Sequence, residues 1–591
     1  SPIGHLDEFK AMTRVPASLG MPPGPSLLDI FVTAANGMAR VVEYPDFILE
    51  QREAINFSVE QAFEGFVPSW PIRKRTLEEA AQGIDLPGFR RLNLSKSPGR
   101  GFWPRSNGKR DLYSVDEKGV VSLISERYRQ VYTQVEAGCR EGKRPHWEDC
   151  IVDMAPKDEL RSLAKFKAGK TRVIYIFPQF VTDLCRAYFG DFIAHVYCNP
   201  IVTPSCVGIN VDSTDWTQLG ERLELISSSG FDGDLAQAES CVEDEANRCF
   251  LASVESFYRT YDPTYNEGDA RARSTLLDML STPHIAIGPF VYKAPCANWS
   301  GNVLTTIRNI FLTVRLNRVA FLMSARAVGA PATMTDFAMM VAEASFGDDT
   351  LVVVDPAIQH WYNFRSTHKA LKECGISYTP ADKGDPELAP IVRPLTELEF
   401  LSRKFVHNRE VAMIPDVKWM ALQDDKALWK TAKYVTTCPD ELEQCKVDVQ
   451  MSLLRDVALG SRLYNQKVHM VKGLFRRVGV NIKLLSFSEA VAKWRAGEII
   501  EATWLQPDDD VEESFHVEVK RQQVEVHPYD VAFGCMNGED FAEFESEALR
   551  VDIQPQMFSG SAFGVSFADV DVKESIGSRP VLEPELKGPE A

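Results

Sequence analysis

The chain is predicted to be an α+β protein in which an antiparallel hairpin lies between long helical stretches, and three observations predict it. Two apolar runs, Met339-Met340-Val341-Ala342 and Leu351-Val352-Val353-Val354, flank the tight turn Ser345-Phe346-Gly347-Asp348-Asp349. Asn302 to Met323 carries Ile307, Ile310, Phe311, Val314 and Leu316 at near-helical spacing. Met420 to Ala496 is rich in helix formers. Short apolar runs meeting at a glycine turn read as paired strands, and a 3.6-residue apolar period reads as helix.

The elements follow in order. The first hundred residues mix short apolar runs with proline and glycine, notably Met21-Pro22-Pro23-Gly24-Pro25, and read as loops and short elements. A helix is expected from Ser122 to Ala137. After the 302–323 helix, the hairpin and the helix-rich region, a Pro-Asp-Asp-Asp break follows Trp504. Alternating stretches around Val517 and Val524, with Phe533 and Phe541, point to partial order up to Asp552, and the Pro/Glu-rich end after Ser578 points to disorder. At 591 residues the chain requires several subdomains or one multi-lobed body, and no repeat of 20 to 50 residues is visible.

Charge is distributed unevenly. The net charge of −18 would suit a nucleic-acid enzyme poorly, but residues 501–591 hold 21 acidic and 6 basic residues, a balance of −15. The first 500 residues therefore sum to −3, with room for basic patches such as Lys157, Arg161, Lys165, Lys167, Lys170 and Arg172. This stretch reads first as a solvated extension or the residue of a precursor junction; alternatively Glu501 to Asp552 folds against the body and competes with a polyanion for basic surface, an effect that salt would screen. The 12 cysteines show no CxxC pair and no Cys/His clustering, which speaks against a disulfide framework and a structural zinc. No run of about 18 apolar residues marks a membrane span. The start, Ser1-Pro2-Ile3-Gly4-His5, lacks a signal peptide's basic and apolar regions and a starting Met, as release from a larger precursor or trimming would leave it.

The chemistry begins at the turn. Nucleotidyl transfer uses two divalent cations roughly 3.5–4 Å apart, and magnesium prefers hard carboxylate oxygens gathered from separate strands. Gly347-Asp348-Asp349 supplies two carboxylates at a hairpin tip, although the same tripeptide also suits a plain surface turn. Trp299-Ser300-Gly301-Asn302-Val303-Leu304-Thr305-Thr306-Ile307-Arg308-Asn309 is a glycine-containing loop running into a helix, rich in hydroxyl and amide groups that could face a ribose-phosphate. It also suits a helix start capped by Ser300 or Asn302.

Taken together these segments resemble the picorna-like RNA-dependent RNA polymerases of positive-strand RNA viruses, especially the dicistrovirus and marnavirus branch. Ser-Gly-Asn, two residues, Thr-Thr, two residues, Asn is similar to motif B, and Phe346-Gly347-Asp348-Asp349 to motif C, with Phe where Tyr is usual. Lys157-Asp158-Glu159-Leu160-Arg161, Lys165 and Gly169-Lys170-Thr171-Arg172 resemble motif F, the basic segment facing the incoming triphosphate. Ser97-Pro98-Gly99 with Gly108-Lys109-Arg110 resembles motif G at the template entrance. Tyr378-Thr379-Pro380-Ala381-Asp382-Lys383 looks like motif D, and Phe400-Leu401-Ser402-Arg403-Lys404-Phe405 like the primer-grip motif E. The segments keep the family's order from Ser97 to Phe405.

Motif A departs from the family's Asp, four residues, Asp. After Gly208-Ile209-Asn210 and Trp216-Thr217 comes Gly230-Phe231-Asp232-Gly233-Asp234-Leu235-Ala236-Gln237-Ala238-Glu239. Asp234 as metal ligand puts Glu239 at the second position, whereas the rival register uses Asp232 and leaves Gln237 opposite the ribose. The favoured register is Asp234, and ribose sensing falls to Glu239.

The resemblance implies a right-hand polymerase: fingers at 1–210 and 251–298, palm at 211–250 and 299–405, thumb at 406–504 and an acidic extension at 505–591. The palm's antiparallel sheet would carry the Gly-Asp-Asp hairpin. It implies Mg2+, with Mn2+ as a substitute, on Asp234, Asp348 and Asp349, and Lys383 as general acid toward pyrophosphate. Lys157, Arg161, Lys165, Lys170, Arg172, Glu239, Ser300, Thr305 and Asn309 would bind the nucleoside triphosphate, with Asn309 and Glu239 at the 2′-hydroxyl. Ser97, Pro98, Gly99, Gly301, Phe400 and Leu401 would contact template or primer. The implied partners are RNA template, nascent RNA, nucleoside triphosphates and a genome-linked protein primer, in the host cytoplasm at replication complexes or in the virion. A reverse transcriptase shares the palm chemistry, and a binding protein that lost activity shares the fold. The motif B and motif F segments and the intact acidic residues speak against both.

Overall fold

Residues 14–17, 19–20, 24–101, 108–381, 384–408, 417–423 and 440–496 are described in a computed structural model, with backbone alone for 14–16. The expectations for Lys383 and for the acidic stretch 505–591 lie outside the described residues.

The first hundred residues, expected as loops and short elements, hold four helices among the described residues, after strand β1 (Arg14–Pro16): α1 (Leu27–Gly37), α2 (Asp46–Glu50), α3 (Arg52–Ala62) and α4 (Leu77–Gln82). Reciprocal capping boxes, Ser26 with Asp29 and Thr76 with Glu79, start two of them despite the surrounding prolines. β2 (Tyr113–Val115) pairs with β3 (Val121–Leu123), so the helix expected from 122 begins only after Ser125 caps it, as α5 (Glu126–Arg140). Then come β4 (Ile151–Pro156), β5 (Leu160–Ser162), α6 (Leu163–Lys167), β6 (Val173–Ile176), α7 (Gln179–Cys198), α8 (Asp215–Glu224) and β7 (Ser229–Leu235). They are followed by α9 (Asp244–Tyr261), α10 (Glu267–Ser281), β8 (His284–Ile287), β9 (Phe290–Lys293) and α11 (Thr305–Val328).

One apolar core joins α1, α5, α7, α9, α10 and the first half of α11 through Ile30, Tyr128, Phe192, Phe250, Leu276 and Phe311. Residues 251–298 therefore pack in the same core as the N-terminal body. A four-stranded sheet, β6-β4-β8-β9, covers one side and displays the basic segment at its β6 edge. His284 on β8 is half-buried near Trp147, and burial first, then Arg144, Lys293 and His146, push its imidazole down to about 4. An unfolded chain takes up that proton near 6.5. The His284 contribution to stability is thus full above pH 6.5 and is lost as pH falls toward 4. His284→Gln should unfold at a temperature whose gap to the parent shifts in the variant's favour between pH 7 and 4.5. A pH-independent gap in thermal melts would refute this.

From α11 every residue between Ile307 and Ala325 is buried, so the helix is the spine shared by two cores. It starts at Thr305 rather than 302, with Leu304 at the N-cap and no side-chain cap; Ser300 and Asn302 do not cap it. It ends at Gly329, whose φ of 70° stops the helix in the left-handed region. α12 (Met334–Met340) claims Met339 and Met340, which the sequence suggested as strand, because Thr333 and Asp336 form a capping box. The palm-like sheet begins at β10 (Val341–Phe346) and runs through β11 (Asp349–Val354). After α13 (Phe364–Glu373), β12 (Tyr378–Thr379) and β13 (Arg393–Pro394) both pair with β7, giving the order β10-β11-β7-β12.

Alternation along β7 and β11 splits the sheet between two cores. Phe231, Leu235, Val352 and Val354 pack with Phe321 and Tyr362 behind it. On the other face Leu351 and Val353 meet Trp216, Phe400, Phe405 and Trp419. The last three belong to a separate sheet of β14 (Glu399–Phe400), β15 (Arg403–His407) and β16 (Trp419–Gln423). Met420 thus opens in a strand, not a helix. The helices α14 (Glu441–Arg455), α15 (Gly460–Arg477) and α16 (Phe487–Ala496) enclose a fourth core around Leu453, Tyr464 and Trp494. Among the described residues no helix is long and apolar enough to cross a membrane, and none of the cysteines is in a disulfide.

Candidate active site

The β10–β11 turn is as short as a hairpin allows. Phe346 pairs with Asp349, leaving Gly347 and Asp348 as the two turn residues. Gly347 has φ 66°, while a Cβ there would meet nothing within 4 Å. Glycine is needed for backbone conformation, not for space. Thr313 of α11 donates to the Gly347 carbonyl at 3.1 Å, which ties the turn to the buried spine.

β7 lies against β11 with Asp234 opposite Asp349 and Asp232 opposite Leu351. Close approach depends on two glycines: a Cβ on Gly230 would overlap the Val352 carbonyl oxygen, and one on Gly233 the Tyr378 ring. The two aspartates differ sharply. Asp232 is fully buried, ion-paired with Arg393, and accepts the Glu399 N–H at 2.6 Å. Asp234 is half-buried at the sheet edge, next to the turn that carries Asp348.

Negative charge accumulates at this edge. Asp349 accepts the Leu401 N–H at 2.7 Å, yet burial, and then the charges of Asp348, Asp232 and Glu399, push its carboxyl up to about 7. Asp348 opens to solvent at its tip, but the enclosing protein still raises its carboxyl, with Arg172 opposing. Glu239, half-buried after the αL residue Gln237, is raised by burial and by Asp348, against Arg172 and Lys157. Asp348, Glu239, Arg172 and Lys157 thus lie within one electrostatic neighbourhood, although they come from separate segments of the chain.

The basic segment is not used uniformly. Arg172 makes a paired contact with Glu159, while remaining 62% exposed. Arg161 turns inward instead: it donates to the Lys170 carbonyl at 2.9 Å and lies 3.3 Å from Glu159, bracing the loop. Lys165 and Lys170 are exposed. On the opposite side of β6, the Tyr175 N–H donates to the Ser300 carbonyl at 2.8 Å. Gly301, at φ 116°, sits where a Cβ would overlap the Tyr175 carbonyl. Thr305 closes the loop by donating to the Asn302 carbonyl at 2.9 Å. Asn309 is buried, its Oδ1 accepting from Asn298 Nδ2 at 2.7 Å.

Ser97, Pro98 and Gly99 lie at the start of α7, where Gln179 N–H donates to the Pro98 carbonyl and a Cβ on Gly99 would overlap the Phe177 carbonyl. Phe400 is fully buried with Trp216, so its side chain is core and not a surface for primer. Leu401 and Ser402 form the next hairpin tip with φ 53° and 57°, a strained pair for residues with side chains. That strain aims the Leu401 N–H at Asp349. Lys383 lies outside the described residues.

Sequence reasoning missed several participants. Arg393, Thr313 and Asn298 carry no motif of their own, and neither does Arg40, which donates to the Ala236 carbonyl at 3.1 Å beside Gln237; Leu401, expected at the primer, instead turns its backbone N–H to Asp349. Only pairing in space identifies them. Among the described residues, no three His, Cys, Asp or Glu side chains are gathered closely enough to hold a metal ion. The donors nevertheless suit a hard divalent cation: they are carboxylates, and Asp349 is raised first by burial and then by the charges of Asp348, Asp232 and Glu399 beside it.

Residues 50–472 match the family of viral RNA-dependent RNA polymerases. The chain is 24% identical over 376 residues to the genome polyprotein of rice tungro spherical virus (strain Vt6), covering 63% of this chain and 10% of that one. It is 28% identical over 347 residues to the replicase polyprotein of acute bee paralysis virus (strain Rothamsted), covering 56% of this chain and 17% of that one. The chain thus spans only a small part of these relatives. A solved structure, the Sicinivirus 3Dpol RNA dependent RNA polymerase, superimposes with a TM-score of 0.64 at 19% identity, covering 84% of this chain and 94% of that one.

Proposed function

We propose that this chain, which belongs to the viral RNA-dependent RNA polymerase family, replicates a viral RNA genome by nucleotidyl transfer from nucleoside triphosphates to an RNA 3′ end. The observation that carries the reading is the strand register that sets Asp234 opposite Asp349, beside Asp348 at the turn. Family members of this kind use divalent metal ions; here Asp234, Asp348 and Asp349 would hold them, Mg2+ with Mn2+ as a substitute. Bound there, such cations would supply activation of the 3′-hydroxyl and charge neutralisation at the triphosphate.

The remaining steps belong to the chain's own side chains. Arg172, Lys170, Lys165 and Lys157 bind the triphosphate, and Arg161 braces their loop. Glu239 and Asn309 read the 2′-hydroxyl, and Ser300, Gly301 and Thr305 shape the loop beside it. Lys383 donates a proton to the departing pyrophosphate as the 3′-oxygen bonds to the α-phosphorus. Leu401 orients Asp349 through its N–H while Phe400 anchors that hairpin, and Ser97, Pro98 and Gly99 border the template entrance. Fingers (1–210 and 251–298), palm (211–250 and 299–405), thumb (406–504) and an acidic extension (505–591) follow the same reading. The partners are RNA template, nascent RNA and a genome-linked protein primer, in the host cytoplasm at replication complexes or carried in the virion.

Primer extension on poly(A)·oligo(U) with Mg2+ tests this: UTP should extend and dTTP should be at least about 100-fold less efficient, as for a site that bonds the substrate hydroxyl. Preference for dTTP would make the protein a reverse transcriptase. RNA binding without extension of either would make it an inactive relative.

A further inference from the structure

Arg308 sits on the first turns of α11, 2% exposed, with no carboxylate partner among the described residues. Its Nη1 donates to Asn298 Oδ1 at 3.1 Å, and its Nη2 to Asn247 Oδ1 at 2.8 Å and Ser281 Oγ at 2.9 Å. A guanidinium buried among neutral groups is costly, so its neighbours must all present oxygen to it. That requirement propagates. Arginine only donates, so Asn298 must turn Oδ1 toward Arg308, and its Nδ2 then faces away.

Asn298 is itself fully buried. Its Nδ2 donates to the Thr305 carbonyl at 2.8 Å and to Asn309 Oδ1 at 2.7 Å, and its backbone N–H donates to the Glu239 carbonyl at 2.8 Å. Since Asn298 offers only a donor here, Asn309 must present oxygen to it and direct its own Nδ2 elsewhere. Among the described residues no hydrogen bond uses that Nδ2.

We infer that Arg308 and Asn298 are positioning residues that fix the amide polarity of Asn309, and with it the choice of ribose over deoxyribose; this rests on the polymerase reading above. Arg308 sets Asn298, Asn298 sets Asn309, and Asn309 offers an N–H to the 2′-oxygen while Glu239 accepts from the 2′-hydroxyl. The backbone N–H of the same residue holds the Glu239 carbonyl, so position 298 adjoins both halves of the sugar reader while its side-chain amide sets only Asn309. The loop shape alone would not do this, because an amide fits its cavity equally well in either orientation.

The substitution Asn298→Asp tests the chain of polarity. Asp keeps the shape and accepts from Arg308, compensating the buried charge, but presents oxygen to Asn309 and reverses its amide. In the full-length protein, kcat/KM for UTP on poly(A)·oligo(U) should fall about tenfold with dTTP little changed, so the UTP/dTTP ratio drops about tenfold. Arg308→Lys keeps the charge but not the fork; it should lower the ratio about threefold and serves as the readout should the Asp variant not fold. A parental ratio in the variants that fold, or equal losses for UTP and dTTP, would overturn the inference and leave the pair a merely structural role. Absence of extension by the parent protein would instead count against the polymerase reading itself.

Discussion

Asp234→Ala and Asp348→Ala should each lower primer extension by on the order of 1000-fold or more, with RNA affinity changed by no more than about twofold. Both carboxylates lie where the metal chemistry would occur, and neither is needed to fill a core. Asp232→Ala should behave in the opposite way. It leaves Arg393 without its partner and the Glu399 N–H without its acceptor, in a site where Asp232 is fully buried. Breaking a buried pair of this kind typically costs about 3–5 kcal/mol. The variant should therefore melt several degrees lower while retaining measurable extension at low temperature. The register favoured from sequence left Asp232 without a role; the structure gives it a supporting one. Thermal melts, RNA-binding titrations and extension rates on the three proteins decide it. An Asp232→Ala protein that melts like the parent yet cannot extend, with Asp234→Ala active, would move the metal ligand two residues upstream.

Gly301→Ala should be the most damaging single change outside the carboxylates, with extension reduced about 100-fold. Gly301 is solvent-exposed, so the effect does not come from filling a core. Its φ of 116° is poorly accessible to alanine, and the added methyl would overlap the Tyr175 backbone. The loop would have to move off β6, breaking the 2.8 Å bond from Tyr175 N–H to the Ser300 carbonyl. That bond joins the loop before α11 to the strand behind Arg172, so nucleotide binding should weaken through both. Because the contact lies at the surface, the melting temperature should fall only by a few degrees. A variant with normal KM for UTP and a normal rate would show that the loop tolerates displacement. The companion change Gly347→Ala has open space around it but φ 66°, and should cost mainly backbone strain.

The residues that sequence alone identified are those bound by local rules. Gly347 had to be the first residue of a two-residue hairpin turn, because the strands on either side are apolar and a turn of that length needs a positive φ. The spine helix was legible from Ile307, Ile310, Phe311 and Val314, since a 3.6-residue period is a property of the chain itself. The family's motif order marked Asp348, Asp349, Arg172 and the Ser300 loop. Local rules failed where a neighbour in sequence competed. Met339 and Met340 joined α12 because a capping box at Thr333 and Asp336 starts that helix, and Met420 joined a strand because β15 offers it an edge.

What only the tertiary structure decided is which like groups serve which role. Asp232 and Asp234 are two residues apart on one strand face, and no local preference separates them; Arg393 and the Glu399 N–H, more than 150 residues downstream, bury one and leave the other at the edge. Arg161 and Arg172 look equivalent in a basic run, yet the loop's own carbonyl at Lys170 engages the first while the second remains 62% exposed. Asn298 carries no pattern at all, and its importance exists only because Arg308, Asn309 and Glu239 converge on it. Secondary structure is set by interactions within a few residues, which a sequence displays. The assignment of a charge or an amide to chemistry or to support depends on partners brought together across the chain, and only folding specifies those.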